Sequence, residues 1–144
     1  MKRTFIMAII LVGLVGLVSS CTKAEDEPEP SFDYSDISGV WYQYAYKCSD
    51  GYFVNIEGNG LDEYYSFGHT GEFEHYGIMA DGQKDIHTTG KYTYNPQTHE
   101  IHVDEPRGWN LDINVVFDGE NTAVFNIKGR TNNQSSTIRV RKIK

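Results

Sequence analysis

The sequence predicts an all-β domain: an antiparallel up-and-down meander of eight or nine strands that closes into a barrel. Aromatic residues make up 13% of the chain, with ten Tyr and seven Phe, and such residues favour strands. After Ile37, alternating runs recur and a helical period of 3.6 does not. Short turns separate these runs and enforce antiparallel neighbours. Closure removes exposed strand edges, so we expect a barrel, with a β-sandwich as the alternative.

Turn signals rich in Gly, Asp, Asn and Pro divide the body into its predicted strands. Asp81-Gly82 indicates a hairpin, and Asn95-Pro96 ends the predicted strand at residues 86–94. The predicted strands lie at residues 38–46, 52–57, 61–67, 72–79, 86–94, 100–103, 109–117, 122–128 and 137–143. A sandwich would need longer crossovers, which only residues 104–108 and 129–136 could supply.

The first twenty residues have the pattern of a targeting segment. Lys2 and Arg3 precede an uncharged apolar run of fourteen residues from Phe5 to Val18. As a helix this run would span about 21 Å, which is short of the hydrocarbon core of about 30 Å. A basic start, a short apolar run and small residues after it are typical of a secretory signal. We therefore predict a signal peptide at residues 1–20.

The small residues after this run end in a cysteine. Val18-Ser19-Ser20-Cys21 resembles the lipobox of bacterial lipoproteins. The resemblance implies that Cys21 becomes the first mature residue and carries acyl chains on its sulfur and amino group. Several acyl chains give a stable membrane anchor. Ordinary secretion with a disulfide between Cys21 and Cys48 is the alternative.

Residues 21–36 form a predicted tether with six acids, one base and two prolines, a composition that keeps a chain extended. Lys23 followed by Glu25, Asp26 and Glu27 is similar to the surface-export signal of lipoproteins in some Gram-negative bacteria. That resemblance implies an outer-membrane location with the domain facing the cell exterior. The alternative is a plain spacer.

We place the body of the protein at residues 37–144. Its first predicted strand carries a further resemblance. Gly39-Val40-Trp41 resembles the G-x-W signature of lipocalin-like (calycin) barrels. In that family the Trp packs across the closed end of the barrel, and an Arg from the last strand lies over its ring. The resemblance implies this role for Trp41, with Arg139 or Arg141 as the partner.

Candidate chemistry is sparse. The sequence has no G-x-S-x-G motif and no Gly-rich phosphate loop, and its carboxylates show no paired arrangement suited to glycoside hydrolysis. We expect no catalytic residue and no cofactor. The five histidines are spaced without H-x-H or H-E-x-x-H, and His99 and His102 would point to opposite faces of one strand. We therefore predict scattered surface histidines and no metal site.

Two functions remain open. The net charge of −7 argues against nucleic acid as a partner. A membrane-anchored barrel that binds a small apolar or amphipathic ligand would contain an apolar cavity. An interaction module for a protein or glycan would have a packed core and exposed aromatic side chains. For the second function, Tyr42, Tyr44 and Tyr46 are candidates, because alternation places them on one outer face and Trp41 inside.

Overall fold

The computed structural model describes residues 36–60 and 62–143, and these residues form an all-β domain. The nine strands are β1 (Gly39–Lys47), β2 (Phe53–Asn55), β3 (Glu63–Phe67), β4 (Glu72–Ile78), β5 (Lys84–Asn95), β6 (Glu100–Asp104), β7 (Leu111–Phe117), β8 (Thr122–Gly129) and β9 (Ser135–Ile143). Every pair of neighbours is antiparallel. No helix among the described residues is long and apolar enough to cross a bilayer.

The sheet closes on itself. Strands β3 to β9 follow one another in sequence order, and β9 pairs back onto β1 from Val40↔Ile143 to Tyr46↔Ile138. On its other edge, β1 pairs with β3 in its first half and with β2 in its second half. The two short strands thus lie end to end along one edge of β1. The prediction of an antiparallel up-and-down barrel is confirmed, with eight strands in the barrel and β2 as one extra strand.

Alternating strand directions divide the connections between two ends of the barrel. We call the end where the chain enters at Asp36 the base, and the opposite end the mouth. The base carries the connections 68–71, 96–99 and 118–121. The mouth carries the connections 48–52, 79–83, 105–110 and 130–134.

Aromatic and branched side chains fill the barrel interior. Sixteen buried apolar residues form one cluster. At its centre, the ring of Phe125 lies 5.6 Å from Trp41 and 6.0 Å from both Tyr65 and Phe67, measured between ring centroids. Eight strands enclose a space that side chains alone can fill. Complete burial of each such ring contributes about 1.5–3 kcal/mol to the free energy of unfolding.

Two β-bulges change which residues share a face. In β1, Gln43 pairs with Val140, but Ala45 pairs with Arg139, so Tyr44 is the extra residue. Beyond the bulge, Tyr46 aligns with Ile138, which is a core residue. The prediction that Tyr42, Tyr44 and Tyr46 share one outer face was therefore wrong at Tyr46, because the bulge shifts the alternation by one residue.

Candidate binding site at the barrel mouth

The base is closed by Trp41. This residue is 1% exposed, and its indole Nε1 donates a hydrogen bond of 2.7 Å to the carbonyl oxygen of Ile37. Its ring packs against Phe117, with a centroid distance of 6.2 Å, as well as against Phe125. The polar edge of the indole is thus satisfied by the entering chain, while its faces are covered by core rings.

The cation over Trp41 is a lysine. The Nζ of Lys142 lies 5.3 Å from the Trp41 ring centroid, whereas Arg141 lies over Tyr42 and Arg139 over Phe53. The expectation that Arg139 or Arg141 covers Trp41 was wrong. Trp41 and Lys142 are Cα partners in the barrel, so their side chains face the same way. Arg139 and Arg141 occupy the alternate positions of β9 and therefore face outward.

Gly39 makes room for this lysine. Its φ of 125° lies in the region that favours glycine, and a Cβ built there would lie 2.9 Å from Cε of Lys142. Lys142 Nζ also donates to the carbonyl oxygen of Asp36 at 3.2 Å. The absence of a side chain at Gly39 therefore allows the Lys142 side chain to pack against the base.

The lipidation and export residues cannot be placed in this arrangement. Cys21 lies outside the described residues, as do Lys23, Glu25, Asp26 and Glu27. The predicted signal peptide at residues 1–20 lies outside them as well.

At the mouth, one buried carboxylate organises the connection between β6 and β7. The side chain of Glu105 is 2% exposed. It accepts hydrogen bonds from Arg107 Nε at 2.6 Å and from the backbone N–H groups of Arg107 and Trp109 at 2.7 and 3.3 Å. The hydrogen bond from the Arg107 side chain is the main cause that lowers the pKa of Glu105. This network fixes the loop in a form that leaves Trp109 66% exposed.

The neighbouring connection between β8 and β9 holds the same loop from its other side. Thr131 Oγ1 donates to the carbonyl oxygen of Gly108 at 2.7 Å, and the Arg130 N–H donates to that of Asn110 at 2.9 Å. Within the loop, Asn110 Oδ1 accepts the Glu105 N–H at 3.0 Å. Trp109 is thus an exposed indole on a loop that hydrogen bonds fix on both sides.

Two adjoining cavities lie beside this indole, and we call them together the Trp109 pocket. The smaller cavity, of about 110 Å³, is lined by Trp109, Asn110, Leu111, Gly129, Thr131 and Asn132. The larger cavity, of about 470 Å³, is lined by Leu111, Ile127, Gly129, Asn132, Gln134, Ser135 and Ser136. The surface of the smaller cavity is mostly apolar, amide and hydroxyl groups contribute more to the larger one, and none of the lining residues is charged.

A second polar group at the mouth consists of Glu63, His75 and His87, and we call it the His–Glu cluster. Glu63 Oε2 lies 2.9 Å from Nε2 of His75 and 3.2 Å from Nε2 of His87. The ring of Tyr65 stacks on that of His75 at 4.4 Å. Burial is the main cause that lowers the pKa of His75.

The prediction of scattered surface histidines was wrong for His75 and His87. A bulge in the β4–β5 pairing explains their meeting, because Tyr76 pairs with Ile86 and His75 with Thr88, leaving His87 as the extra residue. Glu63 and His75 could have been placed inside from their alternation with core residues of β3 and β4, but nothing in the sequence marks the bulge. The remaining histidines do not join this cluster.

The outer tyrosines form a packed row instead of an exposed patch. Tyr64 lies between Tyr42 and Tyr76, with centroid distances of 5.3 Å to each. Tyr42 and Tyr76, at the two ends of this row, are buried. Burial, followed by the hydrogen bond from its hydroxyl to Asp62, raises the pKa of Tyr42 to about 12. This row therefore supports the barrel wall, and the exposed aromatic side chain of interest is Trp109.

Comparison with known proteins adds little. No family model matches the sequence, and no curated protein matches it. One similar solved structure is a redesigned beta barrel, with a TM-score of 0.48 and 16% sequence identity, covering 76% of this chain and 94% of that chain. At this TM-score the likeness carries no conclusion, and the barrel assignment rests on the strand pairing itself.

Proposed function

We propose that the chain is a non-enzymatic, lipid-anchored binding protein of the outer membrane, and that its Trp109 pocket binds a neutral glycan. The observation that carries the proposal is an exposed indole on a loop whose backbone the buried carboxylate of Glu105 holds, beside an uncharged pocket that combines apolar surface with amide and hydroxyl groups.

The chemistry of the lining favours a sugar. An indole offers a large, rigid apolar face, onto which the C–H face of a sugar ring can pack. The amides of Asn132 and Gln134 bond to each other, with Asn132 Nδ2 donating to Gln134 Oε1 at 3.1 Å, and they retain further donors and acceptors. The hydroxyls of Ser135 and Ser136 add both kinds of group. Such groups match sugar hydroxyls in either direction of hydrogen bonding. An ionic ligand would call for charged side chains, and the lining contains none.

A small apolar ligand inside the barrel fits the molecule less well. Such ligands occupy deep cavities lined mainly by apolar side chains. Here the rings of Trp41, Phe67, Phe73 and Phe125 pack against one another in the core. None of the core aromatic residues lines the cavities described at the mouth and the outer wall. The interaction module is therefore the better supported of the two functions.

The location rests on the sequence of the N-terminal segment. The lipobox-like Val18-Ser19-Ser20-Cys21 supports acylation of Cys21, and the acidic run after Lys23 supports export to the outer leaflet. We expect Cys21→Ser to move the mature protein from the membrane fraction to the soluble fraction, because the change removes the acylated atom. Unchanged partitioning, measured by immunoblots of both fractions, would contradict the lipid anchor.

Glycan binding can be tested on a panel of neutral and acidic oligosaccharides, with the Cys21→Ser protein purified without detergent. We expect neutral members to bind, to shift the Trp109 emission to shorter wavelength and to protect it from iodide. Loss of an aromatic anchor at the centre of an interface costs about 2 kcal/mol or more, roughly thirtyfold in affinity. Trp109→Ala should show this loss in calorimetry.

Tyr52→Ala is the matched control, since Tyr52 is also at the mouth and is 75% exposed, but lies outside the lining of the Trp109 pocket. It should bind like the parent protein. A preference for acidic glycans, or equal affinity in the Trp109→Ala and Tyr52→Ala proteins, would overturn the proposal.

A further inference from the structure

We infer that Glu63, His75 and His87 form a binding site for a divalent transition metal ion of the zinc type, held by two imidazole nitrogens and one carboxylate oxygen. This inference is independent of the proposed glycan site, because it rests on strands β3 to β5, whereas the Trp109 pocket is built on β7 to β9 and their connections.

The donor atoms already have the spacing of a metal site. One ligand atom from each residue lies within 4.8 Å of the other two. A tetrahedral zinc site with bonds of about 2.0–2.1 Å has donor–donor separations of about 3.3 Å. The two separations measured from Glu63 Oε2, 2.9 Å to His75 Nε2 and 3.2 Å to His87 Nε2, are close to that value. Side-chain adjustment alone can therefore complete the geometry.

The kind of donor selects the kind of metal. Calcium and magnesium ions prefer sites made entirely of oxygen. Two histidines with one carboxylate suit zinc and similar ions, and proteins use this set in sites that leave a fourth position for water or a ligand. Both imidazoles direct Nε2 at the same oxygen of Glu63, so the three donor atoms already lie side by side.

The surroundings hold these donors in place. Each residue is on or beside a paired strand, and the Tyr65 ring fixes the plane of His75 by stacking. Gly77 leaves room for the second imidazole, because a Cβ there would lie 3.3 Å from Nε2 of His87. Asp85 Oδ2 lies 3.9 Å from the other ring nitrogen of His87, where metal-binding histidines commonly have a carboxylate neighbour.

An ion can reach the cluster from solvent. A cavity of about 240 Å³ opens at this part of the mouth, and Glu63 and His87 are among its lining residues. Asp62 and Asp85 line the same cavity and add negative charge around the entrance. This cavity leaves space for a water molecule or another small ligand at a fourth position.

Calorimetric titration of the untagged, metal-free mature protein with zinc chloride tests the site. We expect one ion per chain with a micromolar or lower dissociation constant. His87→Gln should weaken zinc binding at least tenfold, and its side chain is 35% exposed, so this variant should fold. His102→Gln is the control, because His102 pairs with Asp112 outside the barrel, and it should bind zinc like the parent protein.

Cobalt gives an independent readout of the geometry. Co²⁺ in the parent protein should show the intense visible bands of tetrahedral coordination, and His87→Gln should lack them. At the same zinc concentration, the melting temperature of the parent and the His102→Gln protein should rise more than that of His87→Gln, because the gain in stability from the ion depends on its affinity for the folded protein. Absence of zinc binding in the parent, or equal affinity in His87→Gln, would show that the cluster is only a network of hydrogen bonds.

Discussion

The base and the mouth of the barrel are built from different chemistry. At the base, Trp41, Phe117 and Phe125 meet ring against ring, and the one polar atom of the Trp41 indole is satisfied by the entering chain. At the mouth, Glu105 accepts three hydrogen bonds, and Glu63 contacts the imidazoles of His75 and His87. We therefore expect the base to contribute more to stability than the mouth, where polar groups lie in arrangements typical of functional sites.

The largest expected difference between the two ends is in the cost of removing a tryptophan. Trp41→Ala should lower the free energy of unfolding by about 3–5 kcal/mol, because it leaves a cavity among core rings. Trp109→Ala should change it by less than about 0.5 kcal/mol, since that indole is mostly in solvent. Urea denaturation followed by far-UV circular dichroism measures both. Similar midpoints for the two variants would contradict the division between base and mouth.

A smaller effect is expected from the carboxylate that fixes the Trp109 loop. Glu105→Ala leaves two backbone N–H groups and the Arg107 guanidinium without their acceptor, which should cost about 1–3 kcal/mol. The loop should also become mobile, so that glycan affinity falls although Trp109 is unchanged. Glu100→Ala is the control, because Glu100 is exposed and accepts from Thr98 Oγ1. Equal urea midpoints and equal glycan affinities in both variants would show that Glu105 does not fix the Trp109 loop.

The smallest of the three effects concerns the cation over Trp41. Lys142→Met keeps an apolar stem and removes the charge, so it should cost about 0.5–2 kcal/mol in the free energy of unfolding. Lys128→Met, on the outer wall near His102 and Asp112, should cost less. Urea midpoints at two salt concentrations give the comparison, and a greater loss in Lys128→Met than in Lys142→Met would contradict the contact with Trp41.

Much of the fold could be predicted from alternation and turn signals, because both are local in the sequence. Strand boundaries were less accurate where long-range bonds decide them. The strand predicted from Trp109 begins at Leu111, since Trp109 and Asn110 belong to the hydrogen-bonded mouth loop. The strand predicted at 52–57 is only Phe53–Asn55, because the remaining part of that edge of β1 pairs with β3.

The candidate sites were harder to predict for the same reason. Alternation from Ile138 and Val140 could have placed Lys142 inside and the arginines outside, so the error over Trp41 was avoidable. The meeting of His87 with His75 depends on a bulge, which has no signature in the sequence. The role of Glu105 depends on N–H groups two and four residues further along, in a loop whose conformation cannot be inferred from composition.

The described part of the chain enters the barrel at its base, at Asp36. Fourteen residues lie between Cys21 and Asp36 in the sequence, a contour of at most about 54 Å. Lys142 holds the end of this stretch at the base through the carbonyl oxygen of Asp36. The Trp109 pocket and the His–Glu cluster lie towards the opposite end of the barrel. A ligand bound at either of them would therefore not compete with the contacts that hold the entering chain.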